Sequence, residues 1–114
     1  MIIRKGIDPR MIANNLQPFF PVHPGEILKD EIEYRGISQK ELAKQVSLPY
    51  TALNEVLNGK RPVTTEFALK MESALGVSPN LLLRMQTDYN LQIARKDKKL
   101  LSRLAEIRKV AAIL

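Results

Sequence analysis

Helix-starting and helix-stopping residues divide positions 24–79 so closely that only short helices fit between them. Pro24 suits a first helical position and Gly36 a helix stop. The first helix therefore has Glu26 in its opening turn and Ile27, Leu28 and Ile32 on a buried stripe. Ser38 caps a second helix, and Glu41 three residues on completes the pattern of a capping box. Its inward residues are Leu42, Ala43 and Val46. The break Ser47-Leu48-Pro49 leads to a third helix over Tyr50–Leu57, which buries Leu53, Val56 and Leu57 and ends at Asn58-Gly59. Thr64 or Thr65 starts a fourth helix with Phe67, Ala68, Met71 and Leu75 inward, closed by Gly76. Ser78-Pro79 opens a fifth that is expected to run through about Met85.

The flanks read differently. Residues 1–22 hold the run Leu16 to Val22 and read as an N-terminal arm. Phe19-Phe20 within it suit docking on the first helix or contact with a partner protein. From Tyr89 to Leu114 there is neither proline nor glycine, and Leu100, Leu104, Ile107, Ala111 and Leu114 recur at steps of four and three. One or two helices fit there. The apolar stripe suits packing on its own domain, a dimer contact or a protein partner. The division expected is an arm over 1–22, a helical domain over 23–87 and a helical extension over 88–114. Strands are not expected, because no period-2 alternation of β-branched residues occurs.

Charge and composition narrow the function. The net charge is +6, yet residues 24–86 hold eight basic and eight acidic side chains. The excess lies in the tails. Within the neutral middle the signs separate: Glu26, Asp30, Glu31 and Glu33 come early, while Lys40, Lys44, Lys60 and Arg61 surround the second and third helices. With no cysteine there is no disulfide or thiolate zinc site. His23 is the one histidine, with no second ligand type and no nucleophile to serve, so a turn or pre-helix contact is its expected role and neither catalysis nor a cofactor is expected. Met1–Pro21 carries Arg4, Lys5, Asp8 and Arg10 and lacks the apolar core of a secretory signal. No apolar run reaches bilayer length. A cytoplasmic protein without membrane contact is expected.

The stretch Ser38–Arg61 carries the functional signal. Two short helices joined by a tight break leave one face of the second bare, and Tyr50, Thr51, Asn54 and Glu55 lie on it. A helix of this size enters the major groove of DNA, where each base pair shows a distinct donor and acceptor pattern. In such pairs the N-terminal part of the second helix meets base edges and the first crosses the backbone. Gln39 and Lys40, at the start of the first helix of the pair, suit a phosphate. Asn58, Lys60 and Arg61, after the second, suit the next ones.

Residues 38–59 resemble the helix-turn-helix of the Cro and phage-repressor (Xre) family in Ser-Gln, Leu-Ala, the pair Leu53 and Val56, and Asn-Gly. A narrower resemblance, to the HigA-type antitoxins also called virulence-associated protein I, covers about residues 23–94. It rests on His-Pro-Gly-Glu-Ile-Leu at 23–28, Asn-Gly-Lys-Arg-Pro-Val-Thr at 58–64, Ala68-Leu69, Gly76-Val77-Ser78-Pro79 and the run from Gln86 to Ala94. The fold expected is all-α, a five-helix repressor-like bundle, with an N-terminal arm and a C-terminal helical extension that lie outside the resemblance. The resemblance implies a homodimer on a palindromic operator that represses its own promoter, and a partner that is a small basic toxin, a HigB- or RelE-like mRNA endonuclease. It puts base contacts on Tyr50, Thr51 and Glu55, with Asn54 beside them, and phosphate contacts on Gln39, Asn58 and Lys60. The chain departs from the family pattern at Ser47 (usually glycine), Pro49 (usually a capping serine or threonine), Leu82 (often tryptophan) and Asn90 (usually aspartate). Two other readings stand beside it: a stand-alone or phage-type repressor without a toxin, and an interaction module that inhibits an enzyme without reading DNA.

Overall fold

The structure, a computed structural model, describes residues 21–113. It consists of six helices: α1 Pro24–Tyr34, α2 Gln39–Gln45, α3 Tyr50–Leu57, α4 Thr65–Leu75, α5 Pro79–Ala94 and α6 Lys98–Ile113. No strand occurs among the described residues.

Each start has a local cause. Ser38 Oγ accepts from the Glu41 N–H at 3.3 Å, Thr64 Oγ1 from Phe67 at 3.2 Å and Ser78 Oγ from Leu81 at 3.1 Å, each satisfying a donor that the helix leaves free. Glu41 does not return the bond to Ser38, so the expected capping box is only half made. The reciprocal box forms at α1 instead. There the His23 side chain accepts from a backbone N–H of the first turn, and Glu26 takes the His23 N–H at 3.3 Å.

Two expectations need correction. The fifth helix does not stop near Met85. Nothing in residues 79–94 breaks a helix, and α5 runs on to Ala94 with Leu82 and Gln86 buried along it. It passes without interruption through residues 87 and 88. The break falls at Arg95–Asp97, where Asp97 Oδ1 accepts from the N–H groups of Lys99 and Leu100 at 3.0 and 3.3 Å and so starts α6. The described residues thus hold six helices rather than five. The second correction concerns Ile27, expected on the buried stripe but 43% exposed. Leu28 and Ile32, four apart, share the inward face, and Ile27 is turned about 100° away from Leu28.

The core is otherwise where the apolar spacing puts it. Leu28, Ile32, Leu42, Leu53, Leu57, Met71 and Leu82 are buried, each contributing about 1.5–3 kcal/mol. Helix α2 packs on α3, α1 on α3 and α5, and α4 on α5. Helix α6 joins none of these contacts and has no buried residue. Its stripe is not buried among the described residues: Leu104 is 36% exposed and Ile107 61%. Leu114, at the end of that stripe, lies outside the described residues, as do Phe19 and Phe20.

Candidate nucleic-acid interface

Helix α3 is held from behind by a close approach. A Cβ built on Gly25, in the first turn of α1, would overlap the Val56 carbonyl oxygen and lie 2.9 Å from that carbonyl carbon. Only glycine lets the two backbones meet there. Beside it His23 is 2% exposed. Its Nδ1 accepts from the Gly25 N–H at 2.9 Å, and its ring meets Tyr89 edge-on with centroids 4.9 Å apart. Burial pushes the imidazole pKa down, opposed by hydrogen bonding to the Arg61 backbone and by the Glu26 carboxylate. Burial thus favours the neutral ring, the form in which Nδ1 can accept.

The segment after α3 is pinned from α5. Gln86 is buried, its Oε1 accepts from the Val63 N–H at 2.8 Å, and its Nε2 donates to Asn90 Oδ1 at 2.9 Å. Gln86, braced by Asn90, thus holds Val63 in the connection that leaves α3, while Tyr89 packs on His23. The turn into α3 is built differently. Ser47 has φ +58, the left-handed region, which explains why glycine suits that position better. Pro49 precedes α3 as an N-cap without a side-chain bond and leaves the first N–H groups of the helix free.

Along α3 the residues at 50, 51, 54, 55 and 58 fall within about 140° of arc, one face of the helix. Tyr50 is 42% exposed and Thr51 is exposed, both in the first turn. Asn54 and Glu55 are half-buried, whereas Asn58 is exposed at the C-cap. Side-chain bonds tie this face together. Asn54 Nδ2 donates to Gln39 Oε1 at 3.1 Å, joining α3 to the first residue of α2. Asn58 Nδ2 donates to Asn54 O at 2.9 Å and to Asn54 Oδ1 at 3.2 Å. Arg61 Nε pairs with Glu55 Oε1 at 2.8 Å. That pair is exposed and worth about 0.2–1 kcal/mol, so a phosphate or a base can compete for either member. Lys40 and Lys60 are exposed on either side. The structure therefore brings together Gln39, Tyr50, Thr51, Asn54, Glu55, Asn58 and Arg61 around one helix.

The arrangement is shared with known proteins. Residues 28–82 match the helix-turn-helix family model. Virulence-associated protein I of Dichelobacter nodosus is 35% identical over 79 residues, which span 68% of this chain and 73% of that protein. An addiction module antidote protein of the HigA family from Coxiella burnetii superposes with a TM-score of 0.64 at 32% identity, covering 80% of this chain and 95% of that one. The chain belongs to the HigA-type antitoxin family. A further family structure, Pseudomonas aeruginosa antitoxin HigA with the higBA promoter, has a TM-score of 0.61 at 28% identity and covers 65% of this chain and 82% of that one.

For this family member, two sequence signatures gain a physical meaning. The His-Pro-Gly-Glu run sets the cap and the close approach of α1 to α3. Gln86, braced by Asn90, holds the connection after α3, and Tyr89 backs His23. The pre-helix contact expected of His23 is the cap it makes, whereas the close approach at Gly25 and the hold by Gln86 have no local signal in the sequence. The sequence reading also passed over Lys29, whose Nζ donates to Asn58 Oδ1 at 3.1 Å. The signal available was Lys29 lying one residue after the buried Leu28, but its partner is 29 residues away and no local pattern points to it.

Proposed function

We propose that this protein is the antitoxin of a HigA-type toxin–antitoxin operon and represses its own promoter by binding a palindromic operator as a homodimer. The observation that carries the proposal is the face of α3. It presents Tyr50, Thr51, Asn54 and Glu55 toward solvent, with Gln39, Lys40, Asn58, Lys60 and Arg61 around it, on a fold shared with an antitoxin solved with its promoter. Tyr50, Thr51, Asn54 and Glu55 read base edges; the five flanking residues hold phosphates and set the register. Repression follows from occluding the promoter and needs no chemistry.

A dimer fits the physics of reading DNA. One short helix contacts few base pairs, and two on one rigid body multiply the affinity. The exposed apolar residues Leu81, Leu91 and Ile93 of α5, with the unburied stripe of α6, supply a surface for the contact. No helix among the described residues is long and apolar enough to cross a membrane. The toxin side of the proposal rests on the family alone, and a small basic RelE-like protein is the partner it implies.

The test is a mobility shift on the DNA upstream of the gene, at two salt concentrations with excess competitor DNA. A discrete shift that survives competitor, sediments as two chains per site and disappears with Tyr50→Ala plus Thr51→Ala supports the reading. A smear abolished by competitor rejects it. Retention of the toxin by the double variant separates the two activities.

A further inference from the structure

The three amides of the candidate interface form a chain with a fixed direction, and one end of it is a residue outside the set assigned to DNA. Lys29 carries an ammonium, which donates and cannot accept. Its bond at 3.1 Å therefore fixes Asn58 with Oδ1 toward Lys29 and Nδ2 toward α3. The Asn54 backbone carbonyl, which only accepts, takes that Nδ2 at 2.9 Å and fixes the same orientation independently. Asn54 must then turn Oδ1 to Asn58, at 3.2 Å, and Nδ2 to Gln39. Gln39 receives that donor on Oε1 at 3.1 Å, so its own amino group is left pointing away from the chain.

We propose that Lys29 is a positioning residue for DNA recognition: together with the Asn54 backbone carbonyl it clamps Asn58, and through it the relay Asn58–Asn54–Gln39, in one orientation, and it does not itself touch DNA. The inference rests on the DNA-binding reading given above. Its consequence is specific. Gln39, at the first position of α2, presents an amino donor, which is what a phosphate oxygen needs. Asn54 keeps one hydrogen on Nδ2 and one lone pair on Oδ1, a donor–acceptor pair that matches the N6 and N7 edge of adenine. With the opposite polarity Gln39 would offer a carbonyl oxygen to the phosphate and repel it. The surroundings of Lys29 argue against a phosphate contact of its own. Glu26, Asp30 and Glu33 line the cleft that holds Lys29 and offset the charge of its ammonium.

The test compares wild type with Lys29→Met, which keeps the stem but removes the donor, and Lys29→Gln, which restores a donor without charge. Affinity for the operator fragment is measured over a series of salt concentrations, with adenine and with guanine at each half-site position. Lys29→Met should weaken operator binding roughly three- to tenfold and flatten the preference at one adenine. The salt slope should stay unchanged, and Lys29→Gln should recover most of the loss. In the free protein, the side-chain NH2 resonances of Asn54 and Gln39 should both move in Lys29→Met, while thermal unfolding stays close to wild type. A salt slope smaller by about 0.9 would make Lys29 a phosphate contact and overturn the proposal. Unchanged affinity and base preference would overturn it as well. If wild type itself shows no competitor-resistant shift, the DNA-binding reading fails first, and the NH2 resonances still report whether the relay exists.

Discussion

Gly25→Ala should be the most damaging single-methyl change in the bundle, and its size follows from one contact. The position lies in the first turn of α1, where alanine is otherwise acceptable, so the backbone offers no objection. Space does. The new Cβ would overlap the Val56 carbonyl oxygen and sit 3.0 Å from His23 Nδ1. Neither neighbour yields easily. The Val56 carbonyl accepts from the Gly59 N–H at 3.0 Å, and His23 Nδ1 holds the Gly25 N–H. Relief requires α1 and α3 to separate, which opens the contact beneath Leu28 and Leu53. Overpacking of this kind costs about 1–3 kcal/mol, and the lost cap adds about 1 more. Replacing glycine in a helix returns roughly 0.5–1 kcal/mol. The net expectation is a loss of about 1–3.5 kcal/mol, a large share of a small domain's stability and still compatible with folding. Gly36→Ala is the control: its φ is +69 with nothing within 4 Å of the added atom, so it meets only backbone strain of about 1 kcal/mol. Urea unfolding followed by circular dichroism, with m-values compared, measures both. Because α1 supports the recognition helix, operator affinity should fall for Gly25→Ala and hold for Gly36→Ala. A Gly25→Ala protein within 0.5 kcal/mol of wild type would refute the close approach and the account of the His-Pro-Gly-Glu run built on it.

Other outcomes follow from the same geometry. Ser47→Gly should stabilise by about 0.5–1 kcal/mol, since it relieves a left-handed non-glycine residue but loosens the unfolded chain; a destabilised variant in urea melts would contradict the strain argument. Stability should depend on pH through His23. Its folded-state pKa is lowered, so the unfolded chain binds the proton more readily, and stability is complete above the unfolded value of about 6.5. It declines as pH falls below that value toward the folded pKa, by no more than about 1.4 kcal/mol per pH unit. His23→Asn, which can still cap α1, should show no such slope between pH 5 and 7. Gln86→Leu should cost about 1–3 kcal/mol by leaving the buried Val63 N–H without a partner; amide exchange at Val63 should quicken, and protection equal to wild type would count against the bond.

The charge distribution read along the chain has a spatial counterpart. Glu26, Asp30 and Glu33 of α1 gather at the cleft beside Asn58, and basic residues lie at the start of α2 and after α3. On the proposed function, a duplex approaching α3 would meet cations at both ends of the helix pair and carboxylates on the α1 side, an asymmetry that would restrict the angle at which α3 enters the groove.

What this sequence determined by itself is what depends on neighbours a few residues apart. The starts of α1 to α5, the break before Tyr50, and the inward faces of α2, α3 and α4 follow from caps, prolines, glycines and apolar spacing, all acting within about one turn. Asp97 carried the same kind of signal for α6, because an aspartate ahead of a periodic run caps a helix. Tertiary structure decided everything that joins distant residues. The bonds Asn54–Gln39, Gln86–Val63 and Lys29–Asn58 span 15, 23 and 29 residues, and nothing local to either partner announces them. The stripe of α6 shows the limit from the other side. Spacing reports that leucines and isoleucines share a face, but burial depends on whether another surface arrives to cover it, and among the described residues that face has no buried side chain.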